Sequence, residues 1–206
     1  MKEFWNERYS TEAFAYGKKP NVFFKQELDK LGKGRILLPA DGEGRNSVYA
    51  AKLGFDVCAC DLSISGKTKA EALAVEENVE INYLVGDFGS LVYEESEFDA
   101  VALIYAHFPA DKKEAYHKLV NKYLKVGGSI IFEAFCESHI KYNSENPNVG
   151  GPKNLEMLYS IEEIKIDFAN FEFDLLKEQT IELNEGKFHR GKGSVVRFVG
   201  RKIYAS

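Results

Sequence analysis

Apolar runs of strand length alternate with segments of helical period along most of the chain, and no other feature of the sequence constrains the fold so tightly. Residues 35–39 (RILLP) are too apolar for a strand with one wet face and read as a buried central strand. Further strands are predicted at 56–60 (DVCAC), 81–85 (INYLV), 98–105 (FDAVALIY) and 129–135, with helices at 22–31, 45–53, 67–77, 110–124 and 161–168. Strands that alternate with helices wind into a parallel sheet covered on both faces. The last two runs, 173–183 and 194–203, are separated only by the loop NEGKFHRGKG and must pair antiparallel. The expected fold is therefore α/β: a doubly wound, mostly parallel seven-stranded sheet with an antiparallel C-terminal strand. Residues 143–154, rich in turn formers, read as a mobile loop or lid.

No repeat or linker divides the 206 residues, so they read as one domain, with 1–32 as a helical cap and 33–206 as the core. Net charge is -5 and the lysines are scattered among carboxylates, which argues against nucleic acid as a partner. No apolar run approaches the roughly 20 residues that cross a bilayer, and MKEFWNERYS lacks the apolar centre of a secretion signal. A cytoplasmic location without membrane contact is expected. Cys58, Cys60 and Cys136 have no metal-ligand or disulfide spacing and read as core.

The turn DGEGRN, Asp41 to Asn46, lies between the buried strand and a helix, where glycines let a ligand approach the backbone and helix N–H groups favour negative charge. A tight strand-to-helix connection would have the same composition. Asp61 ends the second strand about 17 residues after Gly44, a spacing suited to ribose hydroxyls, although Asp61 could equally cap the next helix. Asp87, in VGDF after the third strand, is a candidate for an adenine amino group with Phe88 against the ring, or for a capped turn.

The run ILLPADGEGRNSVYAAKLGFDVCACDLS, then VGDF, then the late strand pair, resembles class I S-adenosylmethionine-dependent methyltransferases, which have a Rossmann-like fold. It looks most like the small tellurite-resistance and thiopurine methyltransferases, from the N-terminal FWNERYS and AYGKKPN segments to NEGKFHRGKG. The resemblance implies S-adenosyl-L-methionine as cofactor. It assigns Asp41, Gly42, Glu43 and Gly44 to the loop under the methionine part, with Arg45 and Asn46 opening the helix. Asp61 and Leu62 would take the ribose, and Asp87 and Phe88 the adenine. Tyr105, Ala106 and His107 would lie beside the transferable methyl, while Arg8, Tyr9, Tyr16 and Gly17 match a segment that closes over the cofactor. Two positions depart from the family: Leu38 stands where an acidic residue is usual, and Ala40 replaces the first glycine of the loop.

Methyl transfer from a sulfonium is chemistry of the cofactor, so few catalytic side chains are needed. For a hydroxyl or amine acceptor His107 is the candidate general base, with Tyr105 beside it; a thiolate would need none. Arg8, Tyr9, His189 and Arg190 are candidates for the acceptor pocket, the last two if the strand at 173–183 runs parallel to the others, with Glu185 and Lys187 also at its border. The expected acceptor is a small molecule, and the chain a monomer or homodimer. Two rivals share the cofactor loop. An NAD-dependent oxidoreductase is opposed by Ser47 at the third glycine position and by the terminal strand pair, whereas a non-catalytic cofactor-binding protein would differ only in lacking transfer.

Overall fold

The computed structural model describes residues 1–205; Ser206, the last residue of the expected domain, lies outside them. Helices α1 (Lys2–Tyr9) and α2 (Val22–Leu28) precede β1 (Arg35–Pro39), α3 (Arg45–Lys52), β2 (Asp56–Asp61), α4 (Ile64–Glu76) and β3 (Asn82–Val85). The chain continues through β4 (Phe98–Ile104), α5 (Lys113–Tyr123), β5 (Leu124–Phe135), α6 (Ile140–Glu145) and α7 (Ile161–Asp167). It finishes with the long strands β6 (Phe171–Glu185) and β7 (His189–Lys202). The sheet order is β3-β2-β1-β4-β5-β7-β6, parallel from β3 to β5, with β7 antiparallel to both its neighbours.

Both faces of the central strands are dry. Ile36 and Leu38 join Phe24, Leu28 and Tyr83 in one core, while Leu37, between them on β1, packs on the other side with Cys58, Val101 and Phe132. Successive strand residues point to opposite faces, so a strand apolar at every position can be hidden only between two helical layers. Burying each such side chain contributes about 1.5–3 kcal/mol. The three cysteines are buried and free. No helix among the described residues is long and apolar enough to cross a membrane.

Several boundaries differ from the sequence reading for local reasons. α1 is a helix of its own that no apolar stripe announces. α4 begins three residues early because the Ser63 hydroxyl accepts from Gly66 N at 3.0 Å and caps it. α5 begins three residues late, after a turn closed by Lys112 N on Pro109 O. Most of NEGKFHRGKG is strand, because Asn184 pairs with Arg190 and Glu185 with His189, leaving a turn of three residues. The expected mobile loop contains the end of α6 and a 3-10 turn at Pro147–Val149.

Pairing of β1 with β2 on one side and β4 on the other makes a topological switch point, beyond whose carboxyl ends open α/β sheets bind ligands. β6 and β5 are both antiparallel to β7, so β6 runs with the parallel strands and its turn arrives at that same edge.

Candidate functional site

Three residues of the β1–α3 turn have left-handed backbone: Ala40 (φ 57°), Gly42 (φ 63°) and Gly44 (φ 85°). At Ala40 the methyl makes this conformation costly, by about 1–2 kcal/mol. A Cβ on Gly42 would lie 2.7 Å from Tyr9 Oη, so the glycine lets the cap close on the loop. Gly44 serves a different end: its Cβ would collide with Ala70 of α4, and Gly44 is packed away from the cavity described below.

Asp41 and Asp61 face the cavity from the ends of β1 and β2. Asp41 Oδ2 is buried without a hydrogen-bond partner among the described residues, and burial, opposed by Ser47 and aided by the Asp61 charge, pushes the carboxyl up to about 7. Asp61 accepts from Gly42 N at 3.1 Å on one oxygen and Ser63 N at 2.9 Å on the other, while burial raises it to about 6. Leu62 lines the cavity next to it. Asp87 accepts from Lys112 Nζ at 2.7 Å, Gly89 N at 3.1 Å and the Tyr116 hydroxyl. These bonds, against the effect of burial, hold its carboxyl below the ordinary value and leave it less free for adenine than expected. Phe88 also lines the cavity, and its ring stacks on Phe108.

At the end of β4 the expectations need correction. His107 Nδ1 faces Met157 O at 2.9 Å, and Phe135 N donates to Nε2 at 3.2 Å. A carbonyl can only accept and an N–H only donate, so the ring is the neutral Nδ1–H tautomer with both nitrogens engaged. Burial lowers its pKa to about 3. His107 is thus no general base. Ala106 is packed in the core, its carbonyl accepting from Tyr159 Oη at 2.8 Å, and is not part of the wall. Tyr105 is part of it. Its backbone is left-handed (φ 54°), and its buried hydroxyl has no hydrogen-bond partner among the described residues. Burial, then the charges of Glu133 and Glu185, pushes its phenol well above the usual value, so it keeps its proton.

Glu43, Arg45 and Asn46 direct their polar tips at other parts of the chain. Glu43 takes Lys69 Nζ at 2.5 Å and Ala15 N at 2.8 Å, and Asn46 Oδ1 takes Asn21 N at 2.9 Å. Arg45 pairs with Glu185 at 3.0 Å and donates to Tyr16 O at 3.2 Å. Glu185 also accepts from His189 Nδ1 at 3.1 Å, and Asn21 Nδ2 bridges Glu185 (3.1 Å) and the buried Glu133 (2.7 Å). Burial opposes ionisation of Glu185, but Arg45 and His189 outweigh it and hold the carboxyl down to about 2. Asn21, Glu133 and the buried pairing of Glu185 escaped the sequence reading, because partners more than 100 residues apart leave no local spacing signal.

The β6–β7 turn brings Phe188 and His189 to the wall. His189 packs between Tyr16 and Tyr105, 4.5 Å from each ring centroid. Arg190 is a further correction: it is exposed, donates to Gly186 O at 2.6 Å and lies off the wall, as do Glu185 and Lys187. Arg8, Tyr9 and Tyr16 line the cavity from the cap side, Arg8 donating to Tyr16 Oη at 3.2 Å. Gly150 to Asn154 and Met157 enclose the space from the lid. The result is a cavity of about 930 Å³ running from Asp61 and Asp87 past Asp41 and Tyr105 to Phe188.

Residues 36–128 match the family described as a methyltransferase domain. Thiopurine S-methyltransferase of Legionella pneumophila (strain Corby) is 27% identical, the alignment covering 95% of each chain. Among solved structures, TehB from Haemophilus influenzae superposes with a TM-score of 0.72 at 19% identity, over 98% of this chain and 66% of that one. A SAM-dependent methyltransferase from Methanosarcina mazei gives 0.69 at 17% identity, over 85% of this chain and 95% of that one. The two structures share the fold, and the family match falls on the segment that carries Asp41, Asp61 and Asp87. The chain thus carries a match to a methyltransferase domain over residues 36–128, on a fold shared with S-adenosylmethionine-dependent methyltransferases.

Proposed function

We propose that the chain is a class I S-adenosylmethionine-dependent methyltransferase that transfers the cofactor's methyl group to a small-molecule acceptor bound between Tyr105, His189 and the lid. The observation that carries this reading is the continuous cavity of about 930 Å³, enclosed by cap and lid, with space for a nucleoside-sized cofactor and a second small molecule.

The residues fit the cofactor. Each Asp61 oxygen accepts one backbone N–H and keeps a lone pair for a ribose hydroxyl. Asp41 Oδ2, a buried acceptor without a partner, suits the ammonium group and would stand in for the acidic residue replaced by Leu38. Leu62 and Phe88 would wall the nucleoside, with one lone pair of Asp87 left beside Lys112. When bound, S-adenosylmethionine supplies a methyl on a sulfonium for in-line displacement. The protein contributes alignment and exclusion of water. Neither His107 nor protonated Tyr105 offers a free basic atom, whereas His189 donates Nδ1–H to Glu185 and keeps Nε2 for an acceptor that must lose a proton. A thiolate would need no base, and the Legionella relative is named for S-methylation.

Calorimetric titration with S-adenosylhomocysteine tests the cofactor site. Asp61→Ala is expected to weaken binding by about 1–3 kcal/mol through lost ribose hydrogen bonds. Unchanged affinity in a folded variant would remove Asp61 from the site.

A further inference from the structure

Arg8 stands in the cavity wall with a positive charge that no carboxylate among the described residues offsets. Two other cations of the wall are paired, Arg45 with Glu185 and Lys112 with Asp87. The half-buried guanidinium carbon of Arg8 lies 3.8 Å from the Phe188 ring centroid and 4.9 Å from that of Phe4. Its one hydrogen bond goes to Tyr16 Oη. Rings against the guanidinium leave its edge for hydrogen bonding, and the rest of its five N–H donors have no acceptor among the described residues.

The position of Arg8 separates it from the cofactor loop. Arg8 and Tyr9 are consecutive on α1, so their side chains diverge by about 100°. Tyr9 reaches the loop at Gly42, whereas Arg8 reaches the β6–β7 turn at Phe188. Gly150 of the lid meets the same turn, where its Cβ would lie 2.5 Å from Phe188 O, and Lys153 of the lid adds a further cation to the wall. Partly desolvated charge next to aromatic surface is costly to leave without a counter-ion. The planar fork of a guanidinium matches two oxygens of one anion.

We propose that Arg8 is the anion-docking residue of the acceptor pocket, and that the acceptor bears a carboxylate or an equivalent planar oxyanion. The proposal rests on the methyl-transfer reading of the cavity, and the cofactor's own carboxylate is the competing source of the anion.

The test begins with S-adenosylhomocysteine binding to the parent chain; failure there removes the cofactor site itself, whatever Arg8 does. The saturated complex is then titrated with naphthalene-2-carboxylate and naphthalene-2-carboxamide, which share their rings and differ in charge. The carboxylate is expected to bind at least about tenfold tighter than the amide. Arg8→Gln should abolish that preference, and Arg8→Lys should retain part of it, while S-adenosylhomocysteine affinity stays within about twofold in both, which also reports that they fold. Equal binding of the two probes, no binding of the carboxylate, or a preference that survives Arg8→Gln would overturn the proposal. So would a tenfold loss of S-adenosylhomocysteine affinity in Arg8→Gln, since the anion would then belong to the cofactor.

Discussion

Asp41 carries an ionisable group in a setting that resists its ionisation. Its folded pKa, about 7, lies above the ordinary value of 3.8, so between these values the unfolded chain releases a proton that the folded chain keeps. Stability from this group is therefore lost as pH rises from about 4 to about 7, a tenfold change in proton affinity being worth about 1.4 kcal/mol. Relative to the parent, Asp41→Asn is expected to be progressively more stable across that window, as measured by urea unfolding at fixed salt. A difference that does not change with pH would disprove the buried acid. The identity of Asp41, Asp61 and Asp87 as the acidic points of the site was legible, because each follows a strand whose apolar run is visible. Their hydrogen bonds were not. The same holds at Ala40, whose departure from glycine is plain in the sequence while its left-handed backbone appears only in the fold.

Among the elements, the lid departs furthest from its expectation. Four side chains from outside residues 150–158 hold carbonyls within that stretch: Asn143 on Pro152, His139 on Gly150, His107 on Met157 and Lys113 on Leu158. Turn-forming composition suggested mobility because it describes the loop and not the donors that reach it. His107 and His139 also accept backbone N–H bonds from Phe135 and Ser194, which fixes each ring between lid and sheet. His107→Ala is expected to raise the acceptor KM about threefold to tenfold, the worth of one hydrogen bond, with a smaller effect on S-adenosylhomocysteine affinity. His107→Asn, which can still donate to Met157 O, should recover part of the loss, and the pH profile of kcat should be the same in all three. A pH profile that loses a limb in His107→Ala would restore the histidine to proton transfer. The strands were legible to within a few residues, since their apolar runs are bounded by turns; β6 and β7 outgrew their reading because polar edge residues such as Glu182 and Lys192 pair as well as apolar ones.

Across the whole molecule, the buried cluster of Asn21, Arg45, Glu133, Glu185 and His189 ties the cap, α3, the central sheet and the terminal hairpin together. Glu185→Gln would leave Arg45 without its counter-charge in a buried place, expected to cost about 3–5 kcal/mol. Urea unfolding should register that loss, and S-adenosylhomocysteine should bind more weakly because the cap is held through the same cluster; stability within about 1 kcal/mol of the parent would show that the pair is dispensable. None of this was legible from sequence, where the parallel core declares itself through local pattern and a contact between residues 21 and 185 has none. Such joining of Asn21 to Glu185 also bears on how the protein is made. A chain emerging from the ribosome can assemble β1 to β5 and the three aspartates well before residue 189 appears. The wall that Phe188 and His189 complete, and the anchor that Glu185 gives the cap, exist only once the β6–β7 hairpin has emerged, so until then a nascent chain carries a half-site open to water.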